Sequence, residues 1–247
     1  MKFKHNYKVE LAKTLTGHWY SVWEEDKFLG HFPSSTTILN AYPQSQHLTK
    51  WIAEQGWQES QRIKTEAGLK GTNIHSACDY LEEGAELNEA SYSTEEWYKV
   101  TAFYKWYEVT LPKLIAKELP VFSKKGKFAG RADRIYEING EYILLDFKSS
   151  SAIHPHFPLQ FASYAQAIEE NIDIKITATA ALQLGALNKN TYRYEVYPDW
   201  KKHYKVFKHV KATWDYDYFG SKKKKKELPI LDLPQTLSLR ELLPKPS

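Results

Sequence analysis

The sequence predicts one α/β or α+β domain, and three observations carry that reading. A chain of 247 residues suits one large domain and can bury a core without disulfide staples. Residues 118–123, 127–138 and 141–149 read as three strands, the last two joined at Asn139-Gly140, the strongest short hairpin signal. Beyond them, helical patterns over 158–171 and 199–219 alternate with strand-like runs over 174–184 and 191–197. The domain is expected over 1–227, with its core at about 70–200, a helical lead-in before it and a basic helix after it. Pro229, Pro234, Pro244 and Pro246 mark 228–247 as an extended tail.

In chain order, the aromatic-rich residues 18–32 read as a short hairpin. Ser34-Ser35-Thr36-Thr37 opens a helical stretch that Pro43 interrupts. Residues 45–68 read as helix with Gly56 as a weak point, and Gly71-Thr72 precedes a helix of about 72–83. Its apolar stripe is Ile74, Ala77, Cys78 and Leu81, and Gly84 ends it. Ser93-Thr94-Glu95-Glu96 is a capping box. The helix it opens is expected to bury Trp97, Val100, Tyr104, Tyr107 and Leu111, with Pro112 as its stop. Within the tail, Leu237–Leu243 suits a short docking helix for a protein partner, or a loose end.

Composition excludes several classes. Gly and Pro number 11 each, too few for a low-complexity or collagen-like chain. One cysteine, Cys78, excludes an internal disulfide and a multi-cysteine zinc or iron–sulfur site, and suits a reducing compartment. No window approaches the roughly 18 apolar residues of a membrane span. The start has neither the apolar run of a signal peptide nor the arginines of a transit peptide, so a cytoplasmic protein is expected. The net charge of +4 is uneven: Asp199–Glu227 holds ten Lys against four acids. A basic block beside a near-neutral body is the footprint of a polyanion partner, and the rings within it suit single-stranded nucleic acid or simple core packing. The run Lys222–Lys226 fits either that role or a solvated linker.

The two-residue turn sets the register of the hairpin. It pairs Ile138 with Glu141, and carrying that pairing outward sets Asp133 opposite Asp146 and Arg131 opposite Lys148. Opposed side chains share a face, with Cβ atoms roughly 4.5–5.5 Å apart, and like charges there repel. A shared proton or a bound divalent cation would offset the repulsion. Ile143, Leu145 and Phe147 occupy the other face and read as core.

These residues resemble the PD-(D/E)XK nuclease superfamily, in its RecB-like and phage-exonuclease branch. Gly71-Thr72-Asn73-Ile74-His75 looks like that branch's Gly-Thr-x-x-His helix, and Gly130-Arg131-Ala132-Asp133 like its Gly-x-x-Asp strand. Asp146-Phe147-Lys148-Ser149-Ser150 looks like Asp-x-Lys-Thr/Ser, and Gln160–Tyr164 like the Gln-x-x-x-Tyr helix that follows. Order and spacing agree over about 70–170. Ala132 stands where the superfamily's name puts Pro.

The resemblance implies a restriction-endonuclease-like core, a central mixed β-sheet flanked by helices, acting in a bacterial or phage-infected cell. It implies a phosphodiester hydrolase with Asp133, Asp146 and Lys148 as catalytic residues and His75, Asp133 and Asp146 as metal ligands. Two carboxylates favour a hard cation, Mg²⁺ or Mn²⁺, and an added imidazole favours Mn²⁺ more than an all-oxygen site would. Gln160 and Tyr164, four residues apart on one helix face, are expected to contact the nucleic acid together with Ser149. Arg131 suits a phosphate contact or a plain ion pair. Glu118 could lie near the metal, and His154 and His156, in a Pro-rich loop, could touch substrate. DNA is the expected partner, as single strands or ends cut by an exonuclease. A non-catalytic nucleic-acid-binding protein and a restriction-type endonuclease are the rival readings.

Overall fold

The computed structural model describes residues 2–15, 17–150, 152–220 and 229–233. The run Lys222–Lys226, the 227/228 boundary and the stretch Leu237–Leu243 lie outside them.

The aromatic N-terminal segment forms an antiparallel sheet of β1 (Tyr7–Leu11), β2 (Trp19–Glu24) and β3 (Lys27–Pro33). The sequence reading anticipated β2 and β3 but not β1. Ser34 caps the short α1 (Ser35–Leu39), its hydroxyl accepting from Thr37 N. Ser45 caps α2 (Gln46–Gln55) in the same way.

Gly56, at φ 80°, is a full break rather than a weak point. After it, α3 (Trp57–Glu82) runs unbroken for 26 residues, through Gly68 and Gly71, where a fresh start was expected. A helical Gly costs about 1 kcal/mol relative to Ala. Packing accounts for Gly71: a Cβ there would lie 3.0 Å from Ser149 Oγ, so the missing side chain lets α3 pass close to the sheet.

Helix α4 (Thr94–Thr110) starts on the expected capping box at Ser93 and Glu96. Its buried face differs from the expected one. Val100, Ala102, Phe103 and Trp106 are buried, whereas Tyr104 is 55 % and Leu111 77 % exposed. The helix is aromatic on nearly every side, so periodicity alone could not choose the face.

The main sheet has the order β4 (Lys113–Ser123), β5 (Phe128–Ile138), β6 (Glu141–Lys148), β7 (Ala178–Leu184) and β8 (Tyr192–Tyr197). All neighbours are antiparallel except β6 and β7, which are parallel and joined through α5 (Phe157–Asn171). Pro120 is tolerated because β4 is an edge strand. Helix α6 (Trp200–Phe219) closes the described domain.

Helices cover both sheet faces. Against α5 and α6 pack Val121, Phe128, Ala132, Ile135 and Leu144. Against α3 and α4 pack Tyr136, Ile143, Leu145, Phe147 and the β7 residues Ala178, Ala180 and Leu182. The alternation along β6 puts Leu144 on one side and Ile143, Leu145 and Phe147 on the other, as expected. The small sheet joins the body through Phe32 against Phe122, ring centroids 4.7 Å apart, and through Trp19 packed on Trp214. The result is one α+β domain with a five-stranded mixed sheet and, among the described residues, six α-helices. No described helix is long and apolar enough to cross a membrane.

In α6 the rings split between two roles. Phe207 and Trp214 are core, and Trp214 stacks on Tyr218. Tyr216 and Phe219 are exposed, as are Lys201, Lys202, Lys205 and Lys208. Within α6 these lysines therefore lie outward and Phe207 and Trp214 inward.

Candidate functional site

The hairpin behind the site forms as read. Asn139 and Gly140 have φ of 53° and 80°, both positive, as a type I′ turn requires. The ladder pairs Ile138 with Glu141 and runs in register to Arg134 with Leu145. Asp133 and Asp146 come one position beyond its last recorded pair. There Phe147 N donates to Asp133 Oδ2 at 3.2 Å, so a carboxylate takes the place of a backbone acceptor.

Two irregularities meet at Asp133. Ala132 and Ile135 enter the same core although three positions apart, so the two-residue alternation slips once between them. On β4, Leu119 pairs with Ala132 and Lys117 with Arg134, which sets Glu118 opposite Asp133. Glu118 has φ 47°, a left-handed conformation that costs a non-glycine residue about 1–2 kcal/mol. Strain of this kind gathers where a side chain must be re-aimed.

The re-aimed carboxylate joins a cluster. His75, Glu118 and Asp133 each offer a ligand atom, and these atoms lie within 4.8 Å of one another. His75 comes from α3, where Ile74, Ala77 and Cys78 are buried beside it, and its ring meets Phe147 edge-on. His75 Nδ1 is 3.8 Å from Asp133 Oδ2. Burial pushes the imidazole below its ordinary value, so it is neutral at pH 7, the form that ligates metals. Burial, and then the charge of Asp146, holds the Asp133 carboxyl well above the usual carboxylate range. A nitrogen and two carboxylates brought this close could hold a divalent cation.

Asp146, expected as a ligand, stands differently. Its side chain is 5 % exposed and its Oδ2 lies 2.6 Å from Lys148 Nζ. Glu118 occupies the place in the cluster that the sequence reading gave to Asp146, although Asp146 is close enough for its charge to act on both His75 and Asp133. Lys148 also donates to Gln160 Oε1 at 3.4 Å and sits 4.4 Å above the Phe157 ring. The expected triad of Asp133, Asp146 and Lys148 is thus brought together, with Gln160 beside it.

The remaining candidates surround the cluster. Arg131 pairs with Pro120 in the ladder and meets Glu118 at 3.5 Å, and its expected pairing with Lys148 is not among the β5–β6 pairs. Ser149 accepts from Lys99 Nζ through its carbonyl at 3.1 Å and has its hydroxyl near Gly71. Tyr164 is only 5 % exposed and belongs to the core, its hydroxyl 3.5 Å from Gln160 Nε2. Gly130 makes room for that ring: a Cβ there would come within 2.5 Å of Tyr164 Cε1.

Two residues escaped the sequence reading. Tyr20, from β2, has Arg131 and Glu118 as its charged neighbours. Arg134 is fully buried beneath the site. Its Nε donates to Glu82 Oε2 at 2.9 Å, one Nη donates to the Asp133 carbonyl at 2.8 Å and the other to Asp79. Its guanidinium also lies 5.0 Å from the Phe147 ring centre and 3.8 Å from Glu118 Oε1.

No family model matches the chain, and a search of curated proteins returns no match.

Proposed function

We propose that the protein is a metal-dependent deoxyribonuclease with a restriction-endonuclease-like core, acting as an exonuclease on single strands or DNA ends. The observation that carries the reading is one juxtaposition. The His75, Glu118 and Asp133 cluster and the Asp146–Lys148 pair meet where β5 and β6 run past their last shared rung. The mixed sheet with helices on both faces supports the fold assignment without being specific to it.

A divalent cation on His75, Glu118 and Asp133 would supply Lewis-acid polarisation of a phosphodiester oxygen and a more acidic bound water. The chain's own residues do the rest. Neutral His75 offers a lone pair without adding positive charge. Lys148, held between Asp146 and Gln160, presents an ammonium to charge developing on the phosphate. Asp146 fixes that ammonium in place. Arg134 carries positive charge under Glu118 and binds the Asp133 main chain, so both carboxylates are anchored from below.

Cleavage requires Mg²⁺ or Mn²⁺, and Ca²⁺ or Zn²⁺ replaces them poorly. Undiminished cleavage in excess EDTA would end the metal reading. Closed circular DNA stays intact with Mn²⁺ while linear DNA shortens; nicked circles would assign an endonuclease instead.

Lys148→Ala lowers turnover about 10²-fold, the scale of losing one preorganised charge-stabilising group. Its interaction strengthens only in the transition state, so DNA affinity falls little. Calorimetric Mn²⁺ titration checks the role: affinity stays equal or rises, because a neighbouring cation is gone. A variant that loses Mn²⁺ binding together with rate would make Lys148 a structural partner of Asp146.

A further inference from the structure

The loop between β6 and α5 carries two histidines that the chemistry above does not use. His154 and His156 lie parallel, ring planes 6° apart and centroids 5.6 Å apart. Phe157 meets both edge-on, at 5.0 Å and 4.8 Å. Tyr42, from the segment between α1 and α2, approaches His156 at 6.2 Å. His154 is exposed and His156 half-buried.

The backbone that carries the rings is held rather than loosely placed. Pro155 stands between the histidines and Pro158 sits in the first turn of α5. Phe157 N donates to the His154 carbonyl at 3.0 Å, and Leu159 N and Gln160 N donate to the His156 carbonyl. A platform built in advance loses little entropy when a flat ligand settles on it.

Location says which flat ligand. Lys148 Nζ lies 4.4 Å from the Phe157 ring, and Phe157 is the ring both histidines touch. A phosphate drawn to Lys148 therefore has its own nucleoside within one ring's reach. The chain carries no acidic residue between Asp146 and Glu169, so nothing in this loop repels a phosphate backbone. Burial, His154 and Lys148 together push the His156 imidazole below its ordinary value, which spares the stack from cation–cation repulsion at neutral pH.

We propose that His154 and His156, backed by Phe157, form a stacking platform for the nucleobase adjoining the scissile phosphate, so that the nucleotide at this site is unpaired. The inference rests on the nuclease reading and names its substrate: a duplex base has both faces stacked already and cannot use the platform, whereas a single strand or frayed end can. Stacking of this kind is tolerant of base identity, so it selects strandedness rather than sequence.

The test is a double-mutant cycle on binding, read by fluorescence anisotropy with the full chain in EDTA so that no cleavage intervenes. The probes are a labelled oligothymidylate and an abasic strand of equal length. The unmodified protein binds the thymidylate at least tenfold more tightly, the scale of one stacked base. His154→Ala removes most of that preference and leaves abasic binding unchanged, and His154→Phe restores it. The proposal is overturned if the unmodified protein does not distinguish the strands, if His154→Ala weakens both equally, or if His154→Phe fails to restore the preference. Cleavage with Mn²⁺ separates the two ideas. Metal-dependent cleavage without base-dependent binding sinks the platform alone, whereas no binding and no cleavage sinks both.

Discussion

Asp133→Asn lowers DNA cleavage by about 10³-fold or more, while the metal-free variant melts at or above the temperature of the unmodified chain. The first half follows from losing a charged ligand, since a bound cation contributes several kcal/mol to stabilising the transition state. The second half follows from the free protein. Asp133 is crowded by burial and by Asp146, and its carboxyl is held well above the usual range. A native state that binds a proton more tightly than the unfolded chain loses stability as pH rises from the unfolded carboxylate value through the raised native one. Asparagine removes that component and still offers an oxygen to Phe147 N. Thermal melts against pH with and without Mn²⁺ check both halves: Mn²⁺ stabilises the unmodified protein and has much less effect on the variant. Near-normal turnover would remove Asp133 from the site. Glu118→Gln and Asp146→Asn, compared by Mn²⁺ titration, decide which carboxylate completes the ligand set. The geometry predicts the greater loss for Glu118→Gln.

Arg134→Met costs about 3–5 kcal/mol of stability, a fall in Tm of roughly 6–20 °C for a chain of this size. The guanidinium is fully buried and Glu82, its partner, has a side chain only 1 % exposed. Methionine fills much of the volume but leaves the Glu82 carboxylate in the interior, where, among the described residues, the Tyr136 hydroxyl is its remaining donor. The asymmetry matters: an intact buried pair adds little net stability, while an orphaned charge is costly. Adding Glu82→Gln to the variant recovers part of the loss. A loss under about 1 kcal/mol in a denaturant melt would mean that the cavity relaxes or hydrates more than its packing indicates.

What the sequence made legible was local. Asn139-Gly140 admits a type I′ turn, and from it the β5–β6 register followed as far as Arg134 and Leu145. The two-residue strand repeat put Asp146 and Lys148 on one face, and the structure shows them 2.6 Å apart. What stayed hidden depended on distant partners. Glu118 reaches Asp133 through a left-handed kink and across a connection, Lys124–Lys127, that fixes no register by itself. The burial of Arg134 depends on Glu82, 52 residues away. Helix α3 runs through Gly71 because the sheet lies against it, a tertiary gain that outweighs the local cost. Tyr164 keeps its hydroxyl 3.5 Å from Gln160 Nε2, with Asp133 and Asp146 among its charged neighbours, but the space at Gly130 that buries its ring had no signal in the sequence.

We propose that His75, Glu118, Asp133, Asp146 and Lys148 together cut phosphodiester bonds. The most direct test is a time course on 5′- and 3′-labelled single-stranded DNA with Mn²⁺, using the unmodified chain and Asp133→Asn side by side. The expected result is progressive shortening by the unmodified chain, from whichever end the polarity dictates, and intact strands with the folded variant. Intact strands with both proteins, at Mn²⁺ concentrations where the unmodified chain is folded and shown by calorimetry to hold the ion, would contradict it.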